Sequence, residues 1–144
     1  MSVWIVAADS SRARLFQAQS RLGAISELES MVHPASRLKE QGLVSDRAGR
    51  DVAPGGGGGH SMGHEHDAER EELERFAREV GGKLCSGRRE GRFQRLHVLA
   101  APRFLGALRK HLDAETRAVL ITELDANVTS EDASAIRARL PRRL

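Results

Sequence analysis

Val3-Trp4-Ile5-Val6-Ala7-Ala8 is an unbroken apolar run closed by Asp9-Ser10-Ser11, the pattern of a strand buried on both faces and followed by a tight turn. Arg12 to Ala18 then puts Ala13 and Leu15 on one face, and Arg21-Leu22-Gly23 supplies a second turn, so a β-hairpin is expected. From Ile25 to Val32, a period of two places Ser26, Leu28, Ser30 and Val32 on one face and Glu27 and Glu29 on the other, predicting a half-exposed strand near a sheet edge. No sustained period follows between His33 and His66, a stretch that includes Gly42, Gly49, Pro54 and the run Gly55 to Gly59. This reads as a long loop over residues 33–66, and five glycines without side chains to pack are expected to be mobile unless a partner holds them.

A helix is predicted from an Asp67 cap, with Leu73, Phe76, Ala77, Val80 and Leu84 forming its apolar stripe. Gly81-Gly82 weakens its last turns, and Ser86-Gly87 offers an end. Phe93 to Ala101 reads as a buried strand passing into a helix that starts at Pro102 and buries Phe104, Leu105, Leu108 and Leu112. Asp113 to Arg117 makes a turn or helical stub, Ala118 to Asp125 a fifth strand, and Thr129 or Ser130 caps a last helix that turns Ala133, Ile136 and Leu140 inward. The order β-β-β-α-β-α-β-α, with hairpins first and right-handed crossovers after, predicts an α/β fold around a mixed five-stranded sheet of order 3-2-1-4-5, compatible with a ribonuclease H-like architecture. Asp9, the long loop, Arg103 and Asp125 would then share the C-terminal edge, where open α/β sheets bind ligands.

A length of 144 residues is that of one domain, and 40% hydrophobic residues suffice for a core, so one domain spanning 1–144 is expected. Cys85, the single cysteine, excludes an intrachain disulfide and a cysteine-rich zinc site and fits a reducing compartment. No apolar stretch reaches membrane-spanning length, and the N-terminal run is too short for a signal peptide, so a cytoplasmic protein without a membrane partner is expected. The net charge of +3 is modest. Arg88, Arg89, Arg92 and Arg95, and Arg137, Arg139, Arg142 and Arg143, can meet phosphates or simply be solvated surface.

The glycine run suggests a phosphate loop, but no Lys-Ser or Lys-Thr pair follows and no strand precedes it. His60, His64 and His66, beside Glu65 and Asp67, have the chemistry of transition-metal ligands, against the plainer reading of a polar loop. His97 and His111 read as structural. Asp9 and Asp125 resemble the paired carboxylates of two-metal nucleases, but strand four ends in Ala100-Ala101-Pro102-Arg103 without a third, so turn and capping roles compete. Asp46, Arg47, Gly49 and Arg50 form either a local salt-bridged turn or a loop gripping a phosphate or a protein partner. No cofactor is expected.

Trp4-Ile5-Val6-Ala7-Ala8-Asp9 with Arg12-Ala13-Arg14-Leu15-Phe16, Leu43 to Arg50, Phe76-Ala77-Arg78, Ala100 to Arg109 and Glu123 to Thr129 together resemble the bacterial host-attachment protein family, over nearly the whole chain. Ala101-Pro102 stands where that family usually has a doubled proline, and Ala126-Asn127-Val128-Thr129 where it has a Lys-Asp-Leu-Thr-like ending. The family is similar in turn to the middle domain of eukaryotic and archaeal peptide-chain release factors, in which a Gly-Gly-Gln loop after the third strand promotes peptidyl-tRNA hydrolysis. This resemblance implies a ribosome- or tRNA-associated binding domain with an indirect role in attachment. Gly58, Gly59 and His60 occupy the loop position as catalytic candidates, with histidine where the glutamine organises water. An ester hydrolase and a histidine-loop metal or protein-interaction module stay open as alternatives.

Overall fold

A computed structural model describes residues 1–33 and 58–144, with side chains from 67 onward in the second stretch. Its strands are β1 (Val3–Ala8), β2 (Arg12–Ala18), β3 (Ser26–Val32), β4 (Arg95–Ala100) and β5 (Leu120–Asp125). Its helices are α1 (Gly58–Arg89), α2 (Pro102–Lys110), α3 (Ala114–Ala118) and α4 (Ala133–Ala138). The strands form one five-stranded sheet in the order β3-β2-β1-β4-β5, as expected. β1 pairs antiparallel with β2 and parallel with β4, β2 antiparallel with β3, and β4 parallel with β5.

Every residue of β1 is buried, because both faces of the central strand are covered. On one face Trp4, Val6, Ala8, Ala13 and Leu15 pack against Leu73, Phe76, Ala77, Val80 and Leu84 of α1 and against Phe104 and Leu108 of α2. On the other, Val3, Ile5, Ala7, Phe16 and Leu99 pack against Val128, Ile136, Leu140 and Leu144. The apolar stripe of α1 is thus the one its spacing predicts.

Its limits are not. The helix begins at Gly58 rather than at an Asp67 cap, so residues 58–66 of the expected loop are helical. No proline interrupts them, and extending a formed helix fixes one residue per hydrogen bond, which offsets the poor propensity of glycine. The remainder of that loop, 34–57, lies outside the described residues.

The helix also runs through Gly81, Gly82 and Gly87 to Arg89. A Cβ on Gly87 would meet the Trp4 ring at 2.6 Å, and one on Gly81 would meet the His111 carbonyl oxygen at 2.8 Å. These two glycines let α1 lie close on its neighbours and do not end it. The turn after the helix uses Gly91, at φ 72°.

β3 departs from its predicted pattern. Glu29 pairs with Leu15 and Glu27 with Phe16, leaving Leu28 as an extra residue in a bulge. The two glutamates therefore face opposite sides: Glu29 meets Lys83 of α1 at 2.7 Å, and Glu27 meets Arg14 at 2.9 Å. Six of the seven residues of β3 are exposed, Leu28 and Val32 among them, so this edge strand is open on both faces rather than half buried. The cap of α4 is Asp132, whose carboxylate accepts from the Ala135 amide at 2.8 Å, rather than Thr129 or Ser130.

Candidate functional site

The parallel strands β1, β4 and β5 end together. Ala8 pairs with Ala100 and Ala100 with Asp125, so Asp9, the first turn of α2 with Arg103, and Asp125 share the C-terminal edge of the sheet. β3 ends there too, since Val32 pairs with Arg12 and the His33 amide donates to the Ser11 carbonyl at 2.9 Å.

Asp9 is committed to the fold at this edge. Its Oδ1 accepts from the amides of Ser11 (2.7 Å) and Arg12 (2.9 Å), closing the turn between β1 and β2. Its Oδ2 accepts from the hydroxyl of buried Thr129 at 2.8 Å. The guanidinium groups of Arg12 and Arg14 both donate to the Thr129 carbonyl, and Arg14 also donates to the carbonyl of Glu131. A two-pronged hydrogen bond from Arg14 holds the Glu27 carboxyl below its usual range. Segments far apart in sequence, 9–14 and 127–131, are thereby laced into one polar seam. Asp125 and Arg103 are exposed, and no hydrogen bond joins either to Asp9 among the described residues.

Beside this seam lies a feature that sequence reasoning passed over as the end of a strand. His33 is 4% exposed and stacks on Phe76 with ring centroids 5.2 Å apart. Phe76 in turn meets Phe104 of α2 at 5.6 Å. The Nε2 of His33 lies 3.3 Å from Glu72 Oε2 but off the line of a hydrogen bond, and neither ring nitrogen has a hydrogen-bond partner among the described residues. Leaving such a group unsatisfied costs about 1–3 kcal/mol. A cavity of about 400 Å³, lined by His33, Glu72, Arg75, Arg78 and Glu79, opens next to it. The only hint in the sequence was a histidine at the junction of a strand with a proline.

The other candidates are placed apart from this edge or beyond description. Gly58, Gly59, His60, His64 and His66 are positions in the first turns of α1 rather than in a loop, and their side chains are outside the described ones. Asp46, Arg47, Gly49 and Arg50 lie outside the described residues. No group of three metal-competent side chains occurs among the described residues. His111 sits 3.0 Å from Glu74 Oε2, which its hydrogen bond holds below the usual carboxylate range. His97 is fully buried in β4, and its pKa is pushed down to about 4 by burial first and by Arg95, Arg137 and Arg21 next.

Among the described residues, no helix is long and apolar enough to cross a membrane. A family model described as "Protein required for attachment to host cells" matches residues 4–140. No curated protein matches the chain.

Proposed function

The chain belongs to the family of proteins required for attachment to host cells, and from that premise we propose that it is a cytoplasmic, RNA- or ribosome-associated binding domain whose part in attachment is indirect. The observation that carries this reading is the division of labour at the C-terminal edge. The Asp9 carboxylate is used up inside the fold, whereas the exposed guanidinium groups of Arg78 and Arg103 have no ion-pair or hydrogen-bond partner among the described residues. Such groups are suited to phosphate oxygens, which position a protein on nucleic acid without reading its sequence. The strand order 3-2-1-4-5 supports a ribonuclease H-like, release-factor-middle-domain-like assignment. In that assignment the stretch from β3 into the first turn of α1, where Gly58-Gly59-His60 stand, corresponds in chain order to the loop that release factors present to peptidyl-tRNA.

Ester hydrolysis at Gly58, Gly59 and His60, and metal binding by His60, His64 and His66, draw no support from the described side chains. Ribosome co-sedimentation over a salt series tests the preferred reading. Association at low salt that weakens steeply as salt rises is expected, because phosphate contacts release counterions. No association at low salt would overturn it.

A further inference from the structure

We propose that the cavity between the end of β3 and the face of α1 binds a phosphate group carried on a hydroxylated sugar, with Arg75 and Arg78 pairing the phosphate and His33 donating to it. The RNA source of that phosphate rests on the reading above; the cavity itself does not. Its volume of about 400 Å³ falls in the range that small ligands occupy.

Three features point to this ligand. The His33 side chain is only 6% exposed and lines the cavity with neither ring nitrogen hydrogen-bonded among the described residues, so a ligand oxygen there would supply a partner that those residues do not. The Glu72 carboxylate lies between the two, with Oε1 3.1 Å from Arg75 Nη1 and Oε2 3.3 Å from His33 Nε2, which places both side chains at one wall. Arg75 thereby uses one nitrogen and Arg78 none among the described residues, leaving forked donors that match a phosphate. The second hollow on α1, about 290 Å³, is lined by Arg75 and Arg78 again, so the two guanidiniums form a ridge reachable from both sides.

Glu79 also lines the cavity and has no ion-pair partner among the described residues. A carboxylate there opposes a bare anion but accepts hydrogen bonds from hydroxyls. A phosphate attached to a ribose therefore fits the lining better than inorganic phosphate does.

The test is an NMR titration of the full chain, following the His33 ring signal, identified by its loss in His33→Gln. The probes are inorganic phosphate, ribose 5-phosphate and a short single-stranded RNA. Saturable shifts with ribose 5-phosphate are expected, tighter than with inorganic phosphate. Arg78→Ala, at an exposed position, should weaken binding at least tenfold with circular dichroism unchanged, and Glu79→Gln should narrow the gap between the two small probes. No saturable shift with any probe, or an unchanged titration in the Arg75→Ala/Arg78→Ala double variant, overturns the proposal. RNA that binds elsewhere and ignores this double variant overturns the cavity while sparing the RNA reading. Ribose 5-phosphate held at His33 by a chain that ignores ribosomes and RNA supports the cavity and overturns that reading.

Discussion

At the N-terminal edge of the sheet, Arg21 and Arg95 both donate to the Leu144 oxygen, at 2.7 and 3.0 Å, and Arg137 donates to the carbonyls of Gly23, Pro141 and Arg142. Arg88 and Arg89 reach Asp113, and Arg92 lies over the Trp4 ring. At the C-terminal edge, Arg12 and Arg14 are spent in the same way on Thr129, but Arg78 and Arg103 are not. The basic clusters that stand out in the sequence thus mostly hold the tail and the helix ends in place. The arginines without a side-chain partner among the described residues, Arg70, Arg78, Arg103, Arg117, Arg142 and Arg143, are spread over α1, α2, α3 and the tail. Each edge also holds a buried histidine whose nitrogens have no hydrogen-bond partner among the described residues, His97 enclosed beside the arginines of one and His33 opening on the cavity of the other.

The largest effect tests how firmly the cavity edge is built. Phe76→Ala removes the ring under His33 and against Phe104 and should cost about 3–5 kcal/mol in urea unfolding. A cost below 1 kcal/mol would mean that α1 does not anchor this edge as described.

The enclosed histidine should show itself through pH. The folded chain holds His97 neutral down to about 4, while an unfolded chain protonates it near 6.5. Its contribution is complete above pH 6.5, falls as pH drops toward 4 and levels off below, a loss of at most about 3 kcal/mol. Urea midpoints between pH 7 and 4 should therefore slope less in His97→Leu than in the parent. Equal slopes would show that His97 is not kept neutral.

Two glycines of α1, Gly82 and Gly87, should respond with opposite signs. Gly87→Ala drives a methyl into Trp4 and should destabilise by about 1–3 kcal/mol. Gly82→Ala, with open space around it, should stabilise by about 0.5–1 kcal/mol. Thermal melts of the two variants check the contrast. The smallest effect concerns the polar seam: Thr129→Val deprives Asp9 Oδ2 of its hydroxyl and should cost about 1 kcal/mol in urea unfolding.

Strand order and core were legible in the sequence because β1 is apolar throughout and α1 repeats its stripe from Leu73 to Leu84. The start of α1 was hidden, since glycine and histidine signal neither helix nor stop with any strength. Gly87 looked like a helix end because local spacing cannot show that Trp4, in β1, lies against it. The Leu28 bulge was invisible for a related reason: a one-residue insertion is defined by the partner strand. Of the candidate site, the topology placed Asp9, Arg103 and Asp125 at one edge, but the bond from Thr129 to Asp9, 120 residues apart, and the burial of His33 depend on tertiary packing.

Hydrogen-exchange footprinting of the chain on ribosomes tests the central claim most directly, because it separates the two edges. Protection is predicted at 9–14, 33, 75–79 and 102–106, with the tail at 141–144 unchanged. Protection confined to the tail and to 88–95, or none at any salt, would contradict the account.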